Sequence, residues 1–210
     1  MKKNLLNLLL IVAVLFSGTA TVFAQSKALR KDIKKTAKEM KKDGWKVLAT
    51  GTTLEYALSK YRTYVEEDEA NHVVITGIAT GVNPKIGRDN AVMNGLTSYA
   101  SRAKAQVVGK LKSVMSSEEA GGASPEEIDK FGAAYEIAVN TKISALVRQH
   151  FVVYREVNGK KEFQVYMTVD ESLAKKARED AAREAKQKAA LNDLSDKVDG
   201  FIGTPVAPAE

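Results

Sequence analysis

The dipeptide Asn158-Gly159 constrains the fold most, because it lies between two runs rich in β-branched and aromatic residues. Asn-Gly favours a two-residue hairpin turn, since both of its residues adopt positive φ at little cost. The sequence therefore predicts strands over 151–157 and 162–169. In the register that this turn sets, Arg155 faces Glu162 on a half-polar face of the ribbon. The opposite, buried face is predicted to carry Val152, Tyr154, Phe163, Val165 and Met167.

Helical spacing of apolar residues dominates the rest of the chain. The longest such pattern runs from Asp89 to about residue 115, with Asn83-Pro84 as an alternative start because proline suits the first helical position. A β-branched run over 72–79 predicts a strand. The other predicted helices are 27–42, one opened by a Thr52-x-x-Glu55 capping box, a short one after Ser124, 133–147 (with a strand near Ile143 as the alternative) and 171–199 capped by Asp170.

These elements predict an α+β domain. The strand at 72–79 and the hairpin at 151–169 form a small antiparallel sheet, and the helices at 89–115 and 133–147 cover its apolar face. The helices at 27–42 and 171–199 are accessory, and the pattern leaves open whether they pair with each other or with a partner. The predicted divisions are a signal peptide (1–24), N-terminal helices (25–71), an α+β core (72–170), a charged C-terminal helix (171–203) and a disordered tail (204–210).

The N-terminus has the pattern of a secretory signal peptide. Lys2 and Lys3 precede an apolar run from Leu5 to Phe16, and Ala24 ends a small-residue cleavage site. The run is shorter than the roughly 20 residues that a membrane span needs, which disfavours an uncleaved anchor. We expect export to the periplasm or the medium, with cleavage after Ala24 and possible association with the outer membrane.

Composition excludes several kinds of site. The chain has 210 residues and no cysteine, so disulfides, thiolate metal sites and a lipidated cysteine are ruled out. His72 and His150 are the only histidines, and neither has a second metal ligand at a useful spacing on its own element. No G-x-S-x-G motif is present. We therefore expect no metal, no cofactor and no enzymatic activity.

Positive charge provides the candidate contact residues. The formal charge is +6, and the segment 27–42 alone holds eight basic residues against two acidic ones. Such a helix could bind anionic lipid or another acidic polymer, although a solvated helix face gives the same pattern. The helix start after Gly81 could also hold an anion, although its glycine spacing does not fit a phosphate loop. The candidate residues are Lys27, Arg30, Lys31, Lys34, Lys35, Lys38, Lys41, Lys42, Lys85 and Arg88.

Several short motifs resemble a known family. Ile75-Thr76-Gly77-Ile78-Ala79-Thr80-Gly81 leads into Asp89-x-Ala91 and a helix with Ala100-x-x-Ala103, and Phe151-Val152-Val153-Tyr154 and Phe163-Gln164-Val165-Tyr166-Met167 follow. This pattern, over about residues 72–170, is similar to the twenty-kilodalton surface lipoprotein family of bacteria. The resemblance implies long helices on an antiparallel sheet in an envelope protein without known enzymatic activity. The lipid anchor of that family does not carry over, because its cysteine is absent.

We therefore expect an exported, non-catalytic envelope protein that contacts other envelope proteins or itself. One alternative is a binder of anionic lipid or polymer through the helix at 27–42. Another is an exported hydrolase whose site combines His72 or His150 with a serine and a carboxylate. Nucleic acid is not an expected partner, because the chain is predicted to be exported.

Overall fold

The computed structural model describes residues 27–117, 124–189 and 195–207. Within them the chain forms one four-stranded antiparallel sheet, and helices lie on both of its faces. This confirms the predicted α+β class. The predicted signal peptide and residues 118–123 fall outside the described residues. The elements in chain order are α1 (27–42), β1 (Lys46–Val47), α2 (Leu54–Glu67), β2 (His72–Gly81), α3 (Pro84–Ser117), α4 (Pro125–Ser144), β3 (Arg148–Val157), β4 (Lys160–Asp170), α5 (Glu171–Ala189) and α6 (Ser195–Ile202).

The hairpin has the predicted turn and register. Asn158 and Gly159 have φ values of 50° and 75°, and Arg155 faces Glu162. The strand order is β1-β3-β4-β2, so the hairpin forms the middle of the sheet. The predicted buried face lies in the main core, where Tyr154 is half-buried and the other four residues are buried. Those four are Val152, Phe163, Val165 and Met167.

Three long helices cover that face. α3 packs on β2 and β4, α4 packs on α3, and α5 packs on α4. Four alanines of α5 form a seam of small residues that is buried in the main core. Small side chains let neighbouring helices approach closely. α5 can therefore pack tightly on α4 and is part of the helical layer on this face of the sheet. The seam consists of Ala174, Ala177, Ala181 and Ala185.

The other face of the sheet carries a smaller core. α1 presents Ile33, Ala37 and Met40 to it, at the spacing of one helix face. Phe151 and Val153 of β3 are buried beneath α1 and α2. The two terminal helices α1 and α5 therefore lie on opposite faces of the sheet. The Arg155–Glu162 ion pair occupies the end of this face near the turn, where the face is polar as predicted.

Several predicted boundaries are wrong. The cap of α2 is Thr53, whose hydroxyl accepts from Tyr56 N, rather than Thr52. α3 begins at Pro84, the alternative start, and therefore includes Gly87. The Phe163 ring packs against Gly87 so closely that a Cβ at this position would lie 2.2 Å from it, which requires glycine there. The short helix after Ser124 and the helix at 133–147 are one helix, α4, which Ser124 caps. Ile143 is therefore helical rather than part of a strand.

The end of the chain is also more ordered than predicted. Helical residues continue to Ile202 in α6, and residues 190–194 lie outside the described part. Residues 204–207, predicted as tail, pack on the core: Val206 is buried and Gln106 donates to the Pro205 carbonyl. The predicted disorder of 204–207 is thus wrong, because the apolar side chain of Val206 completes the main core. Residues 208–210 are outside the described residues.

A buried polar network ties the C-terminal segment to the helices. The guanidinium of Arg178, 1% exposed, donates to Glu171 Oε1 at 2.6 Å and to the Tyr99 hydroxyl at 2.7 Å. It also donates to the carbonyls of Ile202 and Thr204, at 3.5 and 3.4 Å. Because almost all of its donors are used inside the protein, Arg178 holds α3, α5 and the chain after α6 together.

Tyr135, beside this network, carries a buried hydroxyl with no hydrogen-bond partner among the described residues. An unpaired buried hydroxyl loses its water hydrogen bonds on folding, which costs about 1–3 kcal/mol. We expect Tyr135→Phe to raise the free energy of unfolding by about 1 kcal/mol in urea denaturation. A destabilised variant would instead show that this hydroxyl makes a hydrogen bond.

α3 covers the outer edge of the sheet at β2. Gly77 of β2 and Gly95 of α3 face each other, and a Cβ on Gly77 would lie 1.8 Å from the Ala91 carbonyl oxygen. This close approach brings Asn94 to the edge, where its amide donates to the Ile78 carbonyl at 2.8 Å. An uncharged ten-residue edge strand is a site for unwanted pairing, and a helix that overhangs it protects it.

Candidate functional site

A cleft of about 780 Å³ lies between α2 and the first half of β3. It exists because β1 is short: only Lys46 and Val47 pair with β3, and Leu48 N then donates to the Val152 carbonyl at 2.8 Å. Gly51, with φ of 76°, turns the chain away toward α2. The first half of β3, which begins at Arg148, therefore has β4 on one side and the cleft on the other. We call this stretch, Arg148–Val152, the open edge.

Aromatic side chains form one wall of the cleft. Tyr61 packs edge-on against His150, with ring centroids 5.2 Å apart, and against Phe151 at 5.8 Å. Neighbouring residues of a regular strand point to opposite faces, but a β-bulge at His150 interrupts the pairing of β3 with β4. Both rings consequently lie on the α2 face. Tyr56, 54% exposed, stands at the mouth of the cleft.

The two histidines, which the sequence places on separate strands, meet at Tyr64. The His72 ring stacks on Tyr64 with centroids 3.9 Å apart, and the His150 ring lies 4.9 Å away. β2 and β3 both run antiparallel to β4, so their first residues lie at the same end of the sheet. In the sequence, the position of each histidine at the start of a strand is the feature that could have indicated that the two lie close together.

Three basic residues from three elements line the cleft: Lys60, Arg88 and Arg148. The Lys60 ammonium lies 5.0 Å from the Tyr56 ring centroid, and the Arg148 guanidinium lies 4.5 Å from that of Tyr64. Both are cation–π contacts that orient a charge without neutralising it. Arg88 is paired with Asp89, and Glu67 is the acidic residue of the lining. The sequence predicted Arg88 but not Lys60 or Arg148, because isolated cations in mixed segments carry no pattern.

The predicted basic residues of α1 are all exposed, and none forms an ion pair with another described residue. Two of them, Arg30 and Lys34, line a groove of about 400 Å³ with Tyr56 and Ser59. Tyr56 and Ser59 also line the cleft, so the groove and the cleft form a continuous surface. Lys85 is exposed and lies outside this lining, whereas Arg88 belongs to it, so an anion site of Lys85 with Arg88 stays a prediction.

The two histidines hydrogen-bond to a backbone carbonyl and to a threonine hydroxyl. His72 Nδ1 donates to the Tyr64 carbonyl at 2.6 Å, and His150 Nε2 lies 2.8 Å from the hydroxyl of the buried Thr168. Ser59 and Glu67 share the cleft with His150, but within the described segments no serine hydroxyl is bonded to either imidazole. No group of three possible metal ligands occurs among the described residues.

Burial, followed by the charges of Arg148 and His72, lowers the pKa of His150 to about 4. The unfolded chain protonates this group near pH 6.5, whereas the folded protein keeps it neutral. The stability of the protein should therefore decrease as the pH falls through 6.5 and level off near pH 4. We expect His150→Gln to reduce this dependence, and NMR of the imidazole should show a neutral ring at pH 5. Titration near pH 6.5 in the folded protein would contradict this.

No protein-family model matches the chain, and no curated protein matches it. Among solved structures, hypothetical protein FTT1539c from Francisella tularensis matches with a TM-score of 0.29 and 13% identity. The match covers 62% of this chain and spans 50% of the length of the Francisella chain. Neither its fold nor its function is transferred on a likeness of this size. Among the described helices, none combines the length and hydrophobicity required of a transmembrane segment.

Proposed function

We propose that this chain is an exported, non-catalytic protein of the bacterial cell envelope that acts by contacting another protein through the cleft. The observation that carries the proposal is the cleft itself, in which an open strand edge lies beside exposed aromatic and cationic side chains. Strand edges and aromatic or arginine side chains are frequent in protein–protein contacts. The N-terminal pattern supports export, and the sequence motifs support a relationship to the twenty-kilodalton surface lipoproteins.

Photo-crosslinking in cells tests this proposal. A benzophenone amino acid in place of Tyr56 lies at the mouth of the cleft, and the same residue in place of Ile137, 66% exposed on α4, is a matched control. We expect a discrete crosslinked protein at position 56 in the envelope fraction, none at position 137, and a mature N-terminus at Gln25. Retention in the cytoplasm, or equal crosslinking at both positions, would contradict the proposal.

The second candidate function is binding of anionic lipid or polymer by α1. Its eight basic residues are exposed and form no ion pair within the described segments, which favours this function. The apolar stripe of α1 is already buried against α2, so such binding would be electrostatic and sensitive to salt.

Deleting α1 would expose this apolar core, so charge reversal is the better test. Lys34→Glu, Lys38→Glu and Lys41→Glu together should abolish sedimentation with anionic vesicles, whereas reversal of Lys130, Lys175 and Lys176 on α4 and α5 should not. Equal binding by the two triple variants would exclude α1 as a specific lipid-binding site.

A further inference from the structure

We propose that the cleft accepts an extended, acidic segment of a partner protein, which adds as a fifth strand along the open edge of β3. This inference rests on the proposed function, because it names the kind of partner segment that the cleft would recognise. Strand addition requires a sheet edge with free backbone groups and nearby side chains that select the segment. The structure provides both in one place.

The backbone of the open edge is accessible on the cleft side. After Leu48 N donates to Val152, no further described strand lies beside Arg148–Phe151 on that side. In an edge strand the N–H and C=O groups of alternate residues point outward, so this stretch presents unpaired backbone groups to the cleft. The opposite edge differs, because α3 overhangs β2 and Asn94 bonds to its Ile78 carbonyl. The sheet is therefore open at β3 and guarded at β2.

The charges of the cleft select an acidic segment. Lys60 and Arg148 rest on tyrosine rings and form no ion pair with another described residue. Arg88 also lines the cleft, but its charge is paired with Asp89. Glu67 opposes them with one carboxylate. Beyond Tyr56 the groove adds two cations, Arg30 and Lys34, against the carboxylate of Glu55, so positive charge stays in excess. A basic segment would be repelled by most of this lining, whereas an acidic one gains complementary charge along its length.

The shape of the site favours a peptide over a membrane. The open edge lines a concave cleft together with Tyr56 and Lys60. A flat lipid surface fits the exposed cations of α1 better than it fits the concave lining beside β3. A volume of about 780 Å³ is within the usual range of ligand sites, and five strand residues span about 13 Å.

Fluorescence anisotropy with a designed peptide tests the inference. The probe is a labelled decapeptide of alternating Glu and Val, titrated with the chain from Gln25 to Glu210. We expect binding that Lys60→Glu with Arg148→Glu weakens about tenfold or more, because like charges then face the peptide. Lys130→Glu with Lys176→Glu, on α4 and α5, makes the same change in net charge and should leave affinity within twofold. Lys60→Gln with Arg148→Gln should give an intermediate loss.

Backbone methylation of the same peptide isolates strand addition. Peptides N-methylated at every Val or at every Glu keep the charge, but each loses one alternate set of N–H groups. We expect one of the two methylated peptides to lose about tenfold in affinity and the other to bind like the parent, because only one of the two sets of N–H groups faces β3. Hydrogen exchange should slow at residues 148–152 when the unmethylated peptide binds.

The outcomes separate the inference from the function that it extends. If both methylated peptides bind like the parent, strand addition is wrong while contact with acidic proteins through the cleft survives. If no acidic peptide binds while photo-crosslinking at Tyr56 still captures a partner, the acidic partner class is wrong. Binding of anionic vesicles that Lys60→Glu with Arg148→Glu abolishes would assign the cleft to lipid and overturn the inference.

Discussion

Replacing Arg178 with methionine is expected to lower the free energy of unfolding by about 3–5 kcal/mol. The guanidinium is 1% exposed and bonded to Glu171, Tyr99 and two carbonyls of the C-terminal segment. Methionine has a similar length but no donors, so the Glu171 carboxylate would remain buried without its counter-ion. An uncompensated buried charge costs more than the ion pair itself contributes. Urea denaturation of the two proteins measures the difference.

The double variant Arg178→Met with Glu171→Met is the control for this effect. Removing both charges leaves no orphaned carboxylate, so the double variant should be more stable than Arg178→Met alone. Lys188→Ala breaks an exposed pair with Glu184 and should cost no more than about 0.5 kcal/mol. A loss below 1 kcal/mol for Arg178→Met would show that water replaces the guanidinium and that the network is not a structural tie.

The same substitution should loosen the C-terminus first. The Ile202 and Thr204 carbonyls lose their donor, although Val198 and Val206 remain in the core. Hydrogen exchange over residues 198–206 should therefore accelerate more than exchange in β4. This local effect explains why the sequence misleads at residues 204–207: the tail has the composition of a disordered end, and its partners lie far away in α3 and α5.

The sheet core could be predicted from the sequence because its signals are local. Asn158-Gly159 defines the turn, the turn defines the register, and period-two alternation then assigns Phe163 and Val165 to the buried face. Ser124-Pro125 likewise defines the start of α4, because the side chain and the ring act on the adjacent backbone. Errors of one or a few residues arise where two adjacent residues can both cap, as Thr52 and Thr53 can.

The candidate site could not be predicted in the same way because it depends on where elements stop. β1 ends at Val47, and Gly51 then turns the chain toward α2. A bulge turns His150 to the α2 face, and antiparallel pairing with β4 brings His72 beside it. None of these is a periodic feature. Charge patterning identified α1, where the basic residues are dense, but not Lys60 and Arg148, whose significance comes from the tyrosine rings that they contact.

Replacing Gly77 with alanine is also expected to have a large effect: the free energy of unfolding should decrease by about 3 kcal/mol. A Cβ at this position would lie 1.8 Å from the Ala91 carbonyl oxygen and 2.6 Å from Gly95 N. Both are backbone atoms in the middle of α3, so no side-chain rotation can relieve the overlap. The helix must move away from β2, which separates it from Met167 and weakens the Asn94 bond to the sheet edge.

Gly109→Ala is the matched control for this effect. Gly109 also lies on α3 but is exposed, and a Cβ there would meet nothing within 4 Å. Alanine should stabilise this helix by about 0.5–1 kcal/mol, because glycine loses more backbone entropy on folding. The same glycine-to-alanine change should therefore have opposite signs at the two positions, measured in one urea series. If Gly77→Ala is neutral, α3 does not approach β2 this closely, and the protection of that edge must come from Asn94 alone.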